Sequence, residues 1–194
     1  DEAHQISHDE ESGYLSLIRA MQLKNPGMKL LGNTATPFRQ DGYIYGEGKL
    51  FESVTYTKSL KWMIENGYLV PPRMKHVPDA FDTKGVKITA GEYDLGALEK
   101  LVLSDNSKIE RQVVDALARL AGRKKVAWAC VSIKHAEAVY KLIPEEAALV
   151  HSNMTPTERA FHMKSFEEGS AKHMVFVSIL NTGYNYPPID GVVL

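Results

Sequence analysis

The chain opens on Asp1-Glu2-Ala3-His4, two adjacent acids, a small residue and a histidine. Carboxylates are hard oxygen donors, and magnesium commonly takes one or two of them together with waters and phosphate oxygens. Asp1 is suited to face such a metal, directly or through water. Glu2 is suited to orient or deprotonate the water that attacks the terminal phosphate of ATP. His4 would sense whether that phosphate is present and pass the signal on. An Asp-Glu pair alone is most often solvated surface, so its meaning depends on the residues that follow.

Other positions carry weaker chemistry. Gly32-Asn33-Thr34-Ala35-Thr36-Pro37-Phe38-Arg39 is a turn of small, hydroxylated residues. Alone, its Thr-Ala-Thr reads as a simple hydroxyl-stabilised turn, and Arg39 fits either a surface charge or a cleft. Gly42 to Lys49 superficially resembles a phosphate-binding loop. Its spacing is one residue too long, and Leu50 stands where the metal-binding Ser or Thr belongs, so that reading is rejected. His4 and His8 have the i, i+4 spacing of a zinc helix, but Gln5 occupies the position where the zinc hydrolases need Glu. His151 reads as a strand-end turn residue. Arg123-Lys124-Lys125 reads as a charge cluster answering a helix C-terminus. Trp62 and Trp128 sit in apolar patterns and read as core.

The elements that must position these residues follow from periodicity. Tyr14, Leu17, Ile18 and Met21 predict a helix over 13–24, broken by Asn25-Pro26-Gly27. Met28–Leu31 predicts a short strand that delivers the Thr34–Thr36 turn, the place where α/β sheets put active-site loops. A helix near 58–66 turns Leu60, Met63 and Ile64 inward. The mix of Pro, Gly and charge over 71–104 predicts a connector with short strands at most. A helix begins at Ser107, capped by Ser107 and Glu110, with Ile109, Val113, Val114, Leu117 and Leu120 on its apolar face. Val126–Val131 is a continuous apolar run, as in a strand buried on both faces. A helix on Ala136, Val139, Tyr140 and Ile143, a strand at 147–150, and a helix capped by Thr155 and Glu158 follow. Strands at 174–177 and 191–194 complete the series. This alternation predicts an α/β chain with doubly wound parallel sheets.

Acids and bases nearly cancel, 24 against 23, so net charge names no partner and any nucleic-acid surface must be local. Cys130 is the single cysteine, which excludes an internal disulfide framework and suits a reducing, cytoplasmic setting. The sequence holds no apolar run of membrane-spanning length, so no membrane partner is expected. The 194 residues begin at Asp1, inside what reads as a motif, and are expected to be part of a longer protein.

Taken in order, the motifs are specific together. Asp1-Glu-Ala-His4 precedes Thr34-Ala-Thr36-Pro37. Cys130-Val-Ser132-Ile-Lys-His135-Ala136-Glu137 comes next, then Glu158-Arg159 with Phe166-Glu-Glu-Gly169. The last is Val177-Ser-Ile-Leu-Asn-Thr182-Gly183-Tyr-Asn185-Tyr-Pro187-Pro188-Ile-Asp190. This series resembles superfamily 2 helicases of the DEAD/DEAH-box type, nearest the bacterial and phage branch that includes restriction-enzyme translocases.

The resemblance implies RecA-like lobes: the C-terminal part of a first lobe over 1–70, a connector over 71–104, and a C-terminally incomplete second lobe over 105–194. It implies ATP and Mg2+ as cofactors, with Asp1 on the metal and Glu2 and His4 in hydrolysis. Thr34, Ala35 and Thr36 would couple hydrolysis to lobe movement. Gly183 and Asn185 would lie near the nucleotide. Ser132, Ser152 and Thr182 would approach a nucleic-acid backbone, DNA in preference to RNA; hydroxyls suit phosphate contacts, which need donors but no base information.

Partner subunits or fused domains would complete the parent protein. The family's phosphate cradle and its arginine finger fall outside these residues, so the fragment alone is expected to be inactive. Asn185 stands where the family usually has Asp, which removes a charge. That departure keeps open a second reading, a helicase-like scaffold that binds nucleic acid or protein without catalysis.

Overall fold

The computed structural model describes residues 1–6, 13–39, 42–75, 79–89, 92–180 and 183–194. The chain divides into two compact units, Asp1–Arg73 and Met74–Leu194.

In the first unit, a 3-10 turn over Ala3–Gln5 precedes helix α1 (Gly13–Lys24). Strands β1 (Phe38–Arg39) and β2 (Gly42–Tyr43) form a two-residue antiparallel hairpin. Helix α2 (Leu60–Glu65) is capped by the Ser59 hydroxyl, which accepts from the Trp62 amide. Residues 28–31 were expected as a strand. They run without turn or bend but join no ladder among the described residues. A strand is defined by its partner's hydrogen bonds, and apolar periodicity alone cannot supply one. The residues chosen as inward on α2 also differ: Leu60 is 63% exposed, while Met63 and Ile64 are half-buried. Trp62 is not core. It is half-buried, stacks on Tyr68 and lies under the Lys58 ammonium at 4.0 Å. Gly46 and Gly48 both take positive φ in the tight turn that brings Lys49 N to Gly46 O, so 46–49 is a turn between the bridged Tyr45 and Phe51 rather than a phosphate loop.

The second unit begins with the hairpin β3 (Ile88–Thr89) and β4 (Glu92–Tyr93), then helix α3 (Leu95–Leu103). That helix lies where only a connector was expected. Asp94 caps it by accepting from Ala97 N at 2.7 Å, a signal masked in the sequence by Gly96 in the first turn. Helix α4 (Asn106–Arg119) starts earlier than Ser107 because Asp105 accepts from Lys108 N and takes the cap. Ile109, Val113 and Ala116 form its buried stripe, whereas Val114 is 67% exposed.

The core is a four-stranded parallel sheet in the order β6-β7-β5-β8. Its strands are β5 (Val126–Ala129), β6 (Ala147–Val150), β7 (His173–Phe176) and β8 (Gly191–Val193), with α5 (Ile133–Leu142) and α6 (Pro156–Glu167) between them. Alternate strand residues face opposite ways. Val126, Trp128, Leu149 and Val175 pack with buried residues of α3, α4 and α5. Ala127, Ala148, Val150, Met174 and Phe176 pack with Phe166 of α6. Helices therefore cover both faces, and the unit is a doubly wound α/β sheet as expected. The expected Thr155–Glu158 capping box is present, with Pro156 at the first helical position.

Two sets of polar contacts hold the sheet, one at its margin and one in its core. The Lys125 ammonium donates to the carbonyls of Phe166, Gly169 and Ala171. Of the basic cluster, Lys125 alone answers a helix C-terminus, and it is that of α6 rather than that of α4, which the cluster follows. Inside the core, the Trp128 indole N–H donates to His173 Nδ1 at 3.0 Å. Burial, with Lys172 nearby, holds the His173 imidazole below its ordinary range even though Glu146 pulls the other way. The Cys130 thiol is pushed up to about 12 by burial, which leaves it inert.

Phe166 is fully buried, so Phe166→Ala should cost about 3–5 kcal/mol in urea denaturation through the cavity it leaves. The neutral His173 makes stability pH-dependent. Its folded pKa is depressed, so the unfolded chain binds the extra proton. The contribution is present above the unfolded value, 6.5, and declines as pH falls below it toward the lowered folded value. Thermal denaturation from pH 7.5 to 5 should show a steeper loss for the native chain than for His173→Gln.

Candidate functional site

The opening acids and the hydroxyl turn meet within the first unit. Ala3 is 3% exposed, and its N–H donates to Asn33 O at 3.0 Å. This brings the two segments edge to edge, and His4 Nδ1 lies 2.7 Å from Thr34 Oγ1. Thr34 Oγ1 also accepts from Thr36 N at 3.1 Å, so one hydroxyl ties the histidine to its own turn. Gly32 permits the approach: a Cβ there would stand 2.6 Å from the Phe51 ring and 2.8 Å from Ala3 Cβ. Ala35 and Thr36 are exposed.

Glu2 has φ 52° and ψ 44°, a left-handed backbone that non-glycine residues adopt rarely. Strain of this kind, of order 1–3 kcal/mol, persists only where neighbours impose it, here the buried Ala3 and the bond to Asn33. Its amide donates to Asp1 Oδ1 at 3.0 Å, and its carboxylate lies 3.4 Å from His4 Nδ1. Arg39 resolves the choice left open for it: its guanidinium donates to the carbonyls of His4 and Ile6 at 3.0 and 3.3 Å, closing β1 onto the turn.

Among the described residues, no group of three or more His, Cys, Asp and Glu side chains could hold a metal alone. Asp1 and Glu2 supply two carboxylates, the number magnesium takes when phosphate oxygens and water complete its shell. His8 lies outside the described residues, and the zinc reading of His4 and His8 with it.

In the second unit, Ser132 and Ser152 follow the C-terminal ends of β5 and β6. They line one cleft of about 520 Å3. Open α/β sheets bind ligands at that edge. Ser132 also caps α5, accepting from His135 N at 3.2 Å. Two residues of the cleft were missed from the sequence. Ser178, after β7, has φ 54°, and serine carries no sequence signal for a left-handed backbone. Glu99 of α3 faces the same cleft. The Ser132 hydroxyl and then the Lys134 ammonium, 3.2 Å away, hold its carboxyl below the usual range.

Gly183 has φ +76° and Asn185 is exposed. Around them, Tyr184 donates to the Glu167 carboxylate at 3.0 Å, and Tyr186 donates to the Glu167 carbonyl at 2.7 Å. The loop is thereby fastened to the end of α6. Asp190 fixes its far side, accepting from the amides of Lys124 and Lys125. Thr182 lies outside the described residues.

The chain matches no protein-family model and no curated protein. Among solved structures it is similar to the C-terminal domain of a Sulfolobus solfataricus SWI2/SNF2 ATPase, at 15% identity and TM-score 0.34, covering 50% of this chain and 54% of that one. It is likewise similar to the SWI2/SNF2 ATPase core domain from the same organism, at 16% identity and TM-score 0.34, covering 50% of this chain and 26% of that one. The chain thus spans about half of the first and about a quarter of the second. No helix among the described residues is long and apolar enough to cross a membrane.

Thr34→Val should free the turn from His4 at a local cost of about 1 kcal/mol. Hydrogen exchange should show a faster Thr36 amide in Thr34→Val and an unchanged one in Thr34→Ser.

Proposed function

We propose that this chain is part of an ATP-dependent helicase or translocase of the superfamily 2 DEAD/DEAH-box type, containing the end of its first lobe and most of its second. The observation that carries the reading is the 2.7 Å contact between His4 and Thr34. It joins the acids suited to hydrolysis to a turn suited to relaying it, across 30 residues of sequence.

Asp1 would hold the metal, with Glu2 supporting it from the adjacent position. Magnesium, when bound, would neutralise charge on the transferred phosphate. Glu2 would align the attacking water and take its proton. His4, sharing the Thr34 hydroxyl, would relay the state of the site to residues 34–36. In the second unit, Ser152, and Ser132 on turning its hydroxyl away from Glu99, would donate to backbone phosphates of a nucleic-acid strand, DNA being the first substrate to try. Thr182, Gly183 and Asn185 would contribute from the loop beyond β7, the last two on the nucleotide side. The chain by itself would not turn over ATP, since the reading leaves the phosphate cradle to other parts of the protein.

The test is ATP turnover by the intact protein that contains this chain, with and without single-stranded DNA or RNA. Nucleic acid should stimulate turnover, and Glu2→Gln should lower it by about 10²–10⁴-fold. Turnover unchanged by Glu2→Gln would remove Glu2 from the reaction. Strand binding without any turnover would favour the scaffold reading.

A further inference from the structure

Among the described residues that line the cleft of the second unit, Glu99 is the only ionisable one. Its polar neighbours there are the three serines, 132, 152 and 178. Helix periodicity delivers it to that place. Leu95, Glu99 and Val102 fall at i, i+4 and i+7, on one face of α3. Val102 is 4% exposed and packs among buried residues of α4 and α5, while Leu95 lines the cleft. The helix is therefore fixed, and only the Glu99 side chain is free to swing.

Two donors hold the carboxylate, the Ser132 hydroxyl and the Lys134 ammonium, the latter at 3.2 Å. The loop that carries them is itself held. Ser132 Oγ accepts from His135 N at 3.2 Å, and Val131 N donates to His135 Nδ1 at 3.4 Å. Lys134 lies in the first turn of α5, where the helix dipole disfavours a cation, so it does not serve its own helix. Its side chain is 72% exposed, against 29% for Glu99, which leaves the ammonium open to a partner from solvent. A hydroxyl and an ammonium are also the donors that a phosphodiester takes, and it carries one negative charge, as a carboxylate does. An exposed ion pair stabilises little, so exchanging one anion for the other costs little.

We propose that Glu99 stands in the phosphate position of the cleft in the free protein, and that a nucleic-acid strand binds by exchange. The carboxylate swings out, and one backbone phosphate takes over Lys134 and Ser132. Lys134 is thereby a phosphate-binding residue, and Glu99 is the internal competitor that a strand must displace. This rests on the reading of the cleft as a phosphate-contact surface, and not on ATP turnover.

Fluorescence anisotropy of labelled oligothymidylate and oligouridylate tests this, on the intact protein that contains this chain, across a salt titration without ATP. Glu99→Gln should tighten binding of both strands about 3–5-fold at low salt. It should also steepen the fall of log affinity with log salt by about 0.7, because Lys134 then meets a phosphate without first releasing a carboxylate. That steepening should vanish when Glu99→Gln is made on Lys134→Met. An equal steepening in both backgrounds would mean that Glu99 only repels at a distance, and would overturn the exchange. Tighter DNA binding with weaker RNA binding would make Glu99 an acceptor for the ribose 2′-hydroxyl, which overturns it too. Binding that Glu99→Gln leaves unchanged would overturn the proposal and leave the cleft's functional reading standing. Strand binding by none of the variants would remove that reading, and the proposal with it.

Discussion

The first unit depends on one close approach, that of Ala3 to the chain at Gly32 and Asn33. A glycine at position 32 makes room for the Phe51 ring and the Ala3 methyl. The amide of Ala3 then reaches Asn33 O, and His4 reaches Thr34. Each step restricts the next. Without the approach, the left-handed backbone at Glu2 has nothing to hold it, and the acids have no fixed relation to the turn. Arg39 closes the arrangement from the opposite side by binding the carbonyls of His4 and Ile6. A rigid placement is what hydrolytic chemistry demands, because misplacing a water-orienting carboxylate by an ångström forfeits much of its effect.

The second unit reaches a comparable end by different means. Strands β5, β6 and β7 of its parallel sheet are buried on both faces, and the chain leaves every strand at the same edge. Ser132, Ser152 and Ser178 gather there because β5, β6 and β7 are adjacent and parallel. Each of these hydroxyls has a single proton to donate, and that of Ser132 is directed at the Glu99 carboxylate. Glu99 introduces the opposite charge into the same cleft, moderated by Lys134.

The parallel sheet was legible in the sequence because its signals are redundant. Val126–Cys130 is too apolar for a surface element, and Thr155-Pro156-Thr157-Glu158 marks a helix start by three independent devices. Elements with a single signal were misread. Helix α3 was hidden by Gly96, although Asp94 announced it. Ser107 looked like a cap until Asp105, two residues earlier, took that role. The stretch 28–31 has a strand's composition, but its partners cannot be read from its own residues. Of the candidate site, the opening acids and the Thr34 turn were legible as separate motifs, whereas the His4–Thr34 contact, Ser178 and Glu99 depend on backbone geometry and on a helix that was not foreseen.

The central claim is that the opening acids and the hydroxyl turn work as one device through His4 and Thr34. A double-mutant cycle on ATP turnover by the intact protein measures it, using His4→Ala, Thr34→Val and the pair together. The account predicts that the double variant loses little more than the worse single variant, a coupling of about 1 kcal/mol or more. Strictly additive losses would mean that the two residues act separately, and would contradict it.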